Sequence, residues 1–325
     1  REDCGLGLSW TEQSDCLIGW EHHIASHWIR LKMRDLREGN VGLEDFPYVL
    51  DAEYLVEVAR KAGDAVMEVY GESEEDWGVQ KKGDESPVTK ADLKANKVIC
   101  DMLVSAYPSV PITSEENKKV DWETRKDYLY SWNIDPLDGT KEFIKRNGQF
   151  AVNIALVKRQ EAVVGLVQVP VTGRTYWAAK GKGSYVRTAS GEETRLQCKA
   201  FREDAAGLGI IVSRRHMSKE TEDFISRYDS PVFTQMGSSL KFTKIAENEA
   251  HIYPRMAPTC EWDTAAPHVV LSEAGGEVLQ CGLCTSSGEL LEDWKEVLVK
   301  QVPVVYNKEN DLNPFFVAYG KRIKD

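Results

Sequence analysis

Trp132-Asn133-Ile134-Asp135-Pro136-Leu137-Asp138-Gly139-Thr140 joins an alternating, aromatic-rich segment to a tight acidic turn. Tyr128 to Ile134 has the alternation of a half-buried strand. Pro136 has no N–H to give a neighbouring strand, so the ladder is expected to end there. Asp135 and Asp138 lie three apart across the turn, a spacing that turns both carboxylates toward one point. Gly139 lets the backbone approach a ligand, and the amides of Gly139 and Thr140 suit an anion. Two carboxylates, two amides and a hydroxyl at one strand end fit a hard cation plus a phosphate. A plain surface Asp-Pro turn is the other reading of these nine residues taken alone.

Working outward, Asp51 caps a helix whose buried stripe is Leu55, Val58, Ala59, Ala62, Val66 and Val69, with Gly71 as its stop. A polar stretch, Trp77 to Val88, turns back toward a second helix, Ala91 to Tyr107. A short apolar strand at Val110 to Ile112 precedes Glu115 and Glu116. Strands at Tyr128–Ile134, Phe150–Val157, Ala162–Val169 and Thr175–Ala179 follow closely, and predict a largely antiparallel sheet with helices on one side. Beyond Gln197 to Gly207 strands and helices alternate: Leu208–Val212, Lys219–Tyr228, Pro231–Met236, Leu240–Glu247, His251–Tyr253, Asp263–Ala274. The chain is therefore expected to form an N-terminal α+β lobe over 49–200 and a C-terminal α/β lobe over 201–325, with a small-ligand cleft between them. Residues 1–48 read as a loosely docked extension; His22, His23 and His27 lie in it, and no secretory signal does.

At 325 residues and a net charge of −11, the chain has the composition of a soluble globular protein. That charge argues against nucleic acid or a membrane surface as partner, though a bound metal can reverse the sign locally. No apolar run is long enough for a membrane span. Seven scattered cysteines do not make a secreted disulfide framework. Cys281-Gly-Leu-Cys284 is either an incidental loop or a redox-sensitive pair.

Carboxylates recur at element ends: Glu115 and Glu116, Asp135 and Asp138, and Asp263, which looks like an N-cap with Pro267 in the first helical turn. Gathered in one cleft they would repel, at about 4 kcal/mol per pair some 4 Å apart for an effective dielectric near 20. Convergence therefore demands cations, and oxygen-only ligands favour magnesium, manganese or calcium.

Thr113-Ser-Glu-Glu-Asn117, Asp135-Pro-Leu-Asp-Gly-Thr-Lys-Glu-Phe143 and Glu261-Trp-Asp-Thr-Ala-Ala266 together resemble the lithium-sensitive, magnesium-dependent phosphatase superfamily that includes inositol monophosphatase. Lys141 to Gly148, Val152 to Leu156, Gly237-Ser-Ser-Leu-Lys-Phe242 and Tyr253-Pro-Arg255 resemble its 3′(2′),5′-bisphosphate nucleotidase branch. The likeness covers Asp51 to Gly320. It implies a layered αβαβα sandwich, α+β or α/β in class, with the active site between two lobes.

The resemblance also implies roles. Glu115, Asp135 and the Leu137 carbonyl would hold one magnesium. Asp135, Asp138 and Asp263 would hold a second, and a weaker third would lie near Glu115 and Asp92. Asp92 would pair with Thr140 to activate the attacking water, and Gly139 and Thr140 would cradle the phosphate. Ser213, His216, Gly237, Ser238, Lys241, Arg255 and Asp263 would contact substrate. Arginine at 255, where inositol monophosphatases carry an acid, suits a second phosphate or a base. The implied reaction removes the 3′-phosphate of 3′-phosphoadenosine 5′-phosphate to give AMP, as a monomer or homodimer. The cytoplasm is the expected compartment, with a plastid or mitochondrion as the alternative. An inositol phosphatase and a catalytically silent nucleotide sensor are the rival readings. Cys260, next to the acidic helix start, is a candidate for oxidation that would disturb Asp263.

Overall fold

The structure, a computed structural model, describes residues 43–83, 86–213, 218–285, 287 and 289–324. The readings of residues 1–42 and of His216 lie outside the described residues. Leu43 and Phe46 are buried in the first core, so packed chain includes residues before the lobe start expected at 49.

Two helices open the chain. α1 (Ala52–Tyr70) starts on Asp51, whose carboxylate accepts the Glu53 N–H at 2.9 Å. Its stripe Leu55, Val58, Ala59, Ala62 and Val66 is buried, as the periodicity requires. α2 (Lys90–Ala106) is capped by Thr89, with Asp92 reaching back to the Thr89 N–H at 2.7 Å.

Seven strands follow as one sheet in chain order: β1 (Ile112–Ser114), β2 (Tyr130–Asp138), β3 (Ala151–Lys158), β4 (Glu161–Val169), β5 (Arg174–Ala179), β6 (Gly183–Arg187) and β7 (Glu193–Leu196), with the short helix α3 (Thr140–Ile144) between β2 and β3. β1 runs parallel to β2, and every other neighbouring pair is antiparallel. Helices cover both faces of this sheet, not one as expected. The reason is visible in β3. Val152, Ile154 and Leu156 enter the core beneath α1 and α2, while Ala151, Ala155 and Val157 enter a second core on the opposite face. A strand apolar on both sides must be covered on both.

The second sheet has the order β9-β8-β10-β12-β11, built from β8 (Gly209–Ser213), β9 (Val232–Met236), β10 (Ile252–Arg255), β11 (Glu277–Gln280) and β12 (Phe316–Tyr319). α5 (Leu240–Ala246) and α6 (Glu261–Glu273) lie between the sheets, and their Phe242, Ala265 and Val270 share the middle core with Tyr176, Tyr253 and Phe316. On the outer face, Phe224 of α4 (Lys219–Ile225) and Trp294 of α7 (Trp294–Val299) pack on Val317. The layers are thus helix, sheet, helix, sheet, helix. No helix among the described residues is long and apolar enough to cross a membrane.

Two local expectations are corrected. Pro136 does not end β2. The register shifts between Asp135 and Asp138, and pairing resumes where Asp138 meets Ala151. A bulge lifts the proline out of the ladder, so its missing N–H costs no inter-strand bond. α6 begins two residues before Asp263, which makes Cys260 the N-cap, Asp263 the third helical residue and Pro267 an interior residue. The Asp263 carboxylate reaches back to the Cys260 N–H at 2.8 Å, the same reach-back that Asp92 makes in α2. At Gly165 in β4 a Cβ would lie 2.2 Å from the Ala266 carbonyl oxygen, so α6 rests directly on the first sheet.

Candidate active site

The β2 bulge, the start of α6 and the ends of β1 and β10 meet at a cleft of about 650 Å³ lined by Glu115, Asp135, Asp138, Thr140, Arg255 and Asp263. Carboxylate oxygens of Asp135, Asp138 and Asp263 lie within 4.8 Å of one another. Each is held differently. Asp135 is fully buried and accepts the Leu137 N–H at 3.0 Å, so the bulge orients its own acid. Asp138 accepts from the Ser238 hydroxyl at 2.7 Å, from the Ser239 N–H and, at 3.4 Å, from the Asn153 amide. Asp263 is fixed by its helix start.

The Arg255 charge acts on Asp263, and Lys241 feels both Asp138 and Asp263, but these cations do not offset the repulsion among the acids. Burial first, then the charges of Glu115, Asp138 and Asp263, hold the Asp135 carboxyl well above the usual carboxylate range. Burial together with Asp138 and Glu115 raises Asp263 to about 7. Three mutually repelling carboxylates, Asp135 buried and Asp138 and Asp263 partly buried, are a donor set for a hard metal ion. Glu115 stands beside them, since its N–H bonds the Ile134 carbonyl at 3.1 Å. Its carboxylate, however, is paired with Lys82 at 2.7 Å and lies apart from the trio.

Thr140 and Asp92 meet as expected. The Thr140 hydroxyl donates to Asp92 at 3.0 Å, while the Thr89 hydroxyl donates to the other Asp92 oxygen at 2.6 Å. Burial lifts the Asp92 carboxyl to about 7, against the opposing hydrogen bonds from Thr89. Gly139 has φ +96°, and a Cβ there would sit 3.0 Å from the Gln149 carbonyl oxygen and 3.3 Å from the Ser238 Cβ. Glycine is needed at this turn on both counts.

A second hollow of about 240 Å³ adjoins the cleft and shares Asp138, Gly139, Arg255 and Asp263 with it. Lys241 enters it, its ammonium 2.6 Å from the Ser238 carbonyl and 5.0 Å above the Tyr253 ring. Burial, aided by the Arg255 charge, brings the Lys241 pKa down to about 8. Arg255 donates to the Pro258 carbonyl at 2.8 Å and borders both hollows. Gly237 and Ser238 line the same wall. Ser213 ends β8 opposite Met236, one residue before Gly237.

The residue-by-residue reading missed four contributors: Lys82, Ser239, Asn153 and Tyr253. Asn153 carried a usable signal, a polar residue inside the apolar strand Ala151–Lys158. Lys82 carried none, because its partner is 33 positions away. Cys260, Cys281 and Cys284 are free thiols. Burial and the neighbouring acids push the Cys260 thiol up, and burial raises Cys281 and Cys284, so none is a ready thiolate.

Comparison with known proteins agrees with this geometry. The chain is 39% identical over 264 residues to the 3′(2′),5′-bisphosphate nucleotidase CysQ of Salmonella typhimurium, covering 81% of this chain and 97% of the relative. The CysQ protein of Escherichia coli gives the same identity and coverage. The crystal structure of CysQ from Bacteroides thetaiotaomicron superposes with a TM-score of 0.67 at 36% identity, covering 83% of this chain and 97% of that one. Thermotoga maritima IMPase shares the fold, with a TM-score of 0.59 at 22% identity over 82% of this chain and 91% of its own. The inositol monophosphatase family model matches residues 50–315, across the first sheet, four of the five strands of the second and every carboxylate of the cleft. With that match, this chain belongs to the inositol monophosphatase family.

Proposed function

We propose that the protein is a magnesium-dependent phosphatase that hydrolyses the 3′-phosphate of 3′-phosphoadenosine 5′-phosphate to AMP and phosphate. The observation that carries this reading is the juxtaposition of a mutually repelling acid trio with a hollow holding Lys241 and Arg255. One end asks for cations and the other for an anion. A substrate with two phosphates satisfies both ends, with the scissile group at the acids and the second group at Lys241 and Arg255. The family placement and the likeness to CysQ proteins support the same assignment.

Asp135, Asp138, Asp263, Glu115 and the Leu137 carbonyl would hold two magnesium ions, with a third and weaker position near Glu115 and Asp92. Magnesium supplies Lewis acidity toward the attacking water and the departing ribose oxygen. Asp92 holds the Thr140 hydroxyl so that its lone pair accepts a hydrogen bond from the water. With a carboxyl near 7, Asp92 can take the proton relayed through Thr140 at neutral pH. Gly139 and Thr140 would bind the scissile phosphate through their amides. Gly237, Ser238, Ser213 and His216 would complete the nucleotide side. The protein would work as a monomer or homodimer, in the cytoplasm or, alternatively, a plastid or mitochondrion.

The test is phosphate release from 3′-phosphoadenosine 5′-phosphate, inositol 1-phosphate and inositol 1,4-bisphosphate in parallel, with magnesium, with EDTA and with lithium added. Magnesium-dependent, lithium-sensitive release from the nucleotide above both inositol phosphates is expected. Preference for an inositol phosphate would overturn the substrate and keep the metal centre. Tight nucleotide binding without release would make the protein a sensor.

A further inference from the structure

Glu115 lines the same cleft as the acid trio, yet its carboxylate is already paired with a lysine. Lys82 Nζ lies 2.7 Å from Glu115 Oε1 and 2.6 Å from Glu116 Oε1. This lysine hangs from a small hairpin in which Gln80–Lys81 pairs antiparallel with Pro87–Val88, and the Lys82 N–H bonds the Ser86 carbonyl at 2.8 Å. Lys82, Ser86 and Pro87 line the same cleft as Asp135 and Asp263. The Glu116 side chain is 5% exposed, whereas those of Lys82 and Glu115 are 21% and 23% exposed. Glu116 is thus the deep anchor of the pair, and Glu115 is the arm that reaches the cleft. Among the described residues no other cation pairs with Glu115.

We propose that Lys82 is a resident stand-in cation that competes with the divalent metal for Glu115; this rests on reading Glu115 as a metal ligand. An ammonium and a divalent ion on the same carboxylate repel each other, so each weakens the other's hold on Glu115. Loading the centre therefore favours the arrangement in which Lys82 leaves Glu115. Lys82 keeps Glu116, so the hairpin stays tethered but loses the Glu115 anchor. By linkage, whatever metal binding does to the hairpin, the hairpin does to metal affinity. The ion pair neutralises Glu115 in the metal-free protein and weakens metal binding by the free energy needed to break it. Among the described residues the hairpin is tied by the short pairing at 80–81 and by the Lys82 N–H, so its exchange behaviour reports which cation Glu115 holds.

The experiment uses the full chain, stripped with EDTA and titrated with magnesium chloride by calorimetry, beside Lys82→Met, Lys82→Arg and Asp138→Asn. Melting curves establish that each variant is folded. Lys82→Met is expected to bind magnesium about tenfold more tightly, the scale of a half-buried ion pair. Lys82→Arg should stay near wild type. In wild type, amide hydrogen exchange at residues 80–82, Ser86 and Val88 should quicken on adding magnesium. In Lys82→Met it should be fast already and insensitive to the metal. Unchanged or weaker magnesium binding by Lys82→Met, or hairpin exchange in wild type that ignores magnesium, overturns the proposal. Magnesium binding that is lost in Asp138→Asn but unaltered in Lys82→Met defeats the stand-in alone. Absence of binding in wild type itself defeats the metal centre and the stand-in together.

Discussion

The two hollows of the active site are built by opposite means. The acid cleft takes its groups from regular structure: a bulged central strand, the end of its neighbour and the first turn of a long helix. Asp135 and Asp263 are oriented by backbone N–H groups close in sequence, whereas Asp138 is held by Ser238, Ser239 and Asn153 from farther along the chain. The cationic hollow takes Lys241 from a seven-residue helix and Arg255 from the last residue of a strand. Both cations lean on carbonyl oxygens of nearby turns. A rigid acid frame suits chemistry, whose geometry tolerates little error. A wall of long side chains suits recognition, where one residue's change alters preference and leaves the reaction possible.

Asp138→Asn should break the acid side most severely. Turnover is expected to fall on the order of a thousandfold, about 4 kcal/mol of barrier, with the melting temperature nearly unchanged because the serine donors still find an acceptor. Near-normal phosphate release would remove Asp138 from the metal centre. Thr140→Val should cost about a hundredfold in kcat with little change in KM, the range for lost proton-transfer assistance. An equal change in KM would make Thr140 a binding residue only.

On the cationic side the effects should be smaller and fall on KM. Lys241→Met should raise KM for the bisphosphorylated nucleotide about tenfold, the worth of one charge-assisted hydrogen bond. Inositol 1-phosphate, with no second phosphate, should respond less. Because the Lys241 pKa is near 8, only its protonated form attracts the anion, and wild-type KM should climb as the pH passes that value. A flat KM between pH 7 and 9 would remove Lys241 from the anion site.

A further effect, on stability and not on turnover, concerns the helix behind the acids. His268 of α6 bonds the Tyr306 hydroxyl at 2.7 Å, and burial lowers its pKa from 6.5 to about 4. The unfolded chain takes up a proton below pH 6.5 and the folded one resists it, so stability falls as pH drops from 6.5 toward 4. The loss should reach on the order of 2 kcal/mol, discounted for a half-buried ring. Urea midpoints of wild type and His268→Gln at pH 7 and pH 5 measure it; equal pH slopes would show that His268 does not contribute.

The same contrast explains what was legible in the residues. Asp135, Asp138 and Thr140 sit in one short segment, so their joint purpose could be read locally. The paired strands and two opening helices follow from periods of two and 3.6. Pro136 was misjudged because a bulge is a property of two strands, and only one was in view. Asp263 was displaced from the cap by the same local chemistry that marks one, since an acid at the third helical position also reaches the first amides. The helices on the second face of the sheet were hidden because alanines at 151 and 155 are weak apolar signals. Lys82 was out of reach for a different cause: an ion pair across the fold leaves no trace in the spacing of its members.

Gly165 carries no side chain, and α6 seats flush on the sheet because of it. Asp263 rides on that helix, while Asp135 and Asp138 ride on the sheet. The clearance between the two halves of the acid cage is therefore machined by one absent methyl group. A chain that drifted to alanine at 165 would retain every carboxylate and still hold them at the wrong spacing, an inactivation that no inventory of the acids would detect.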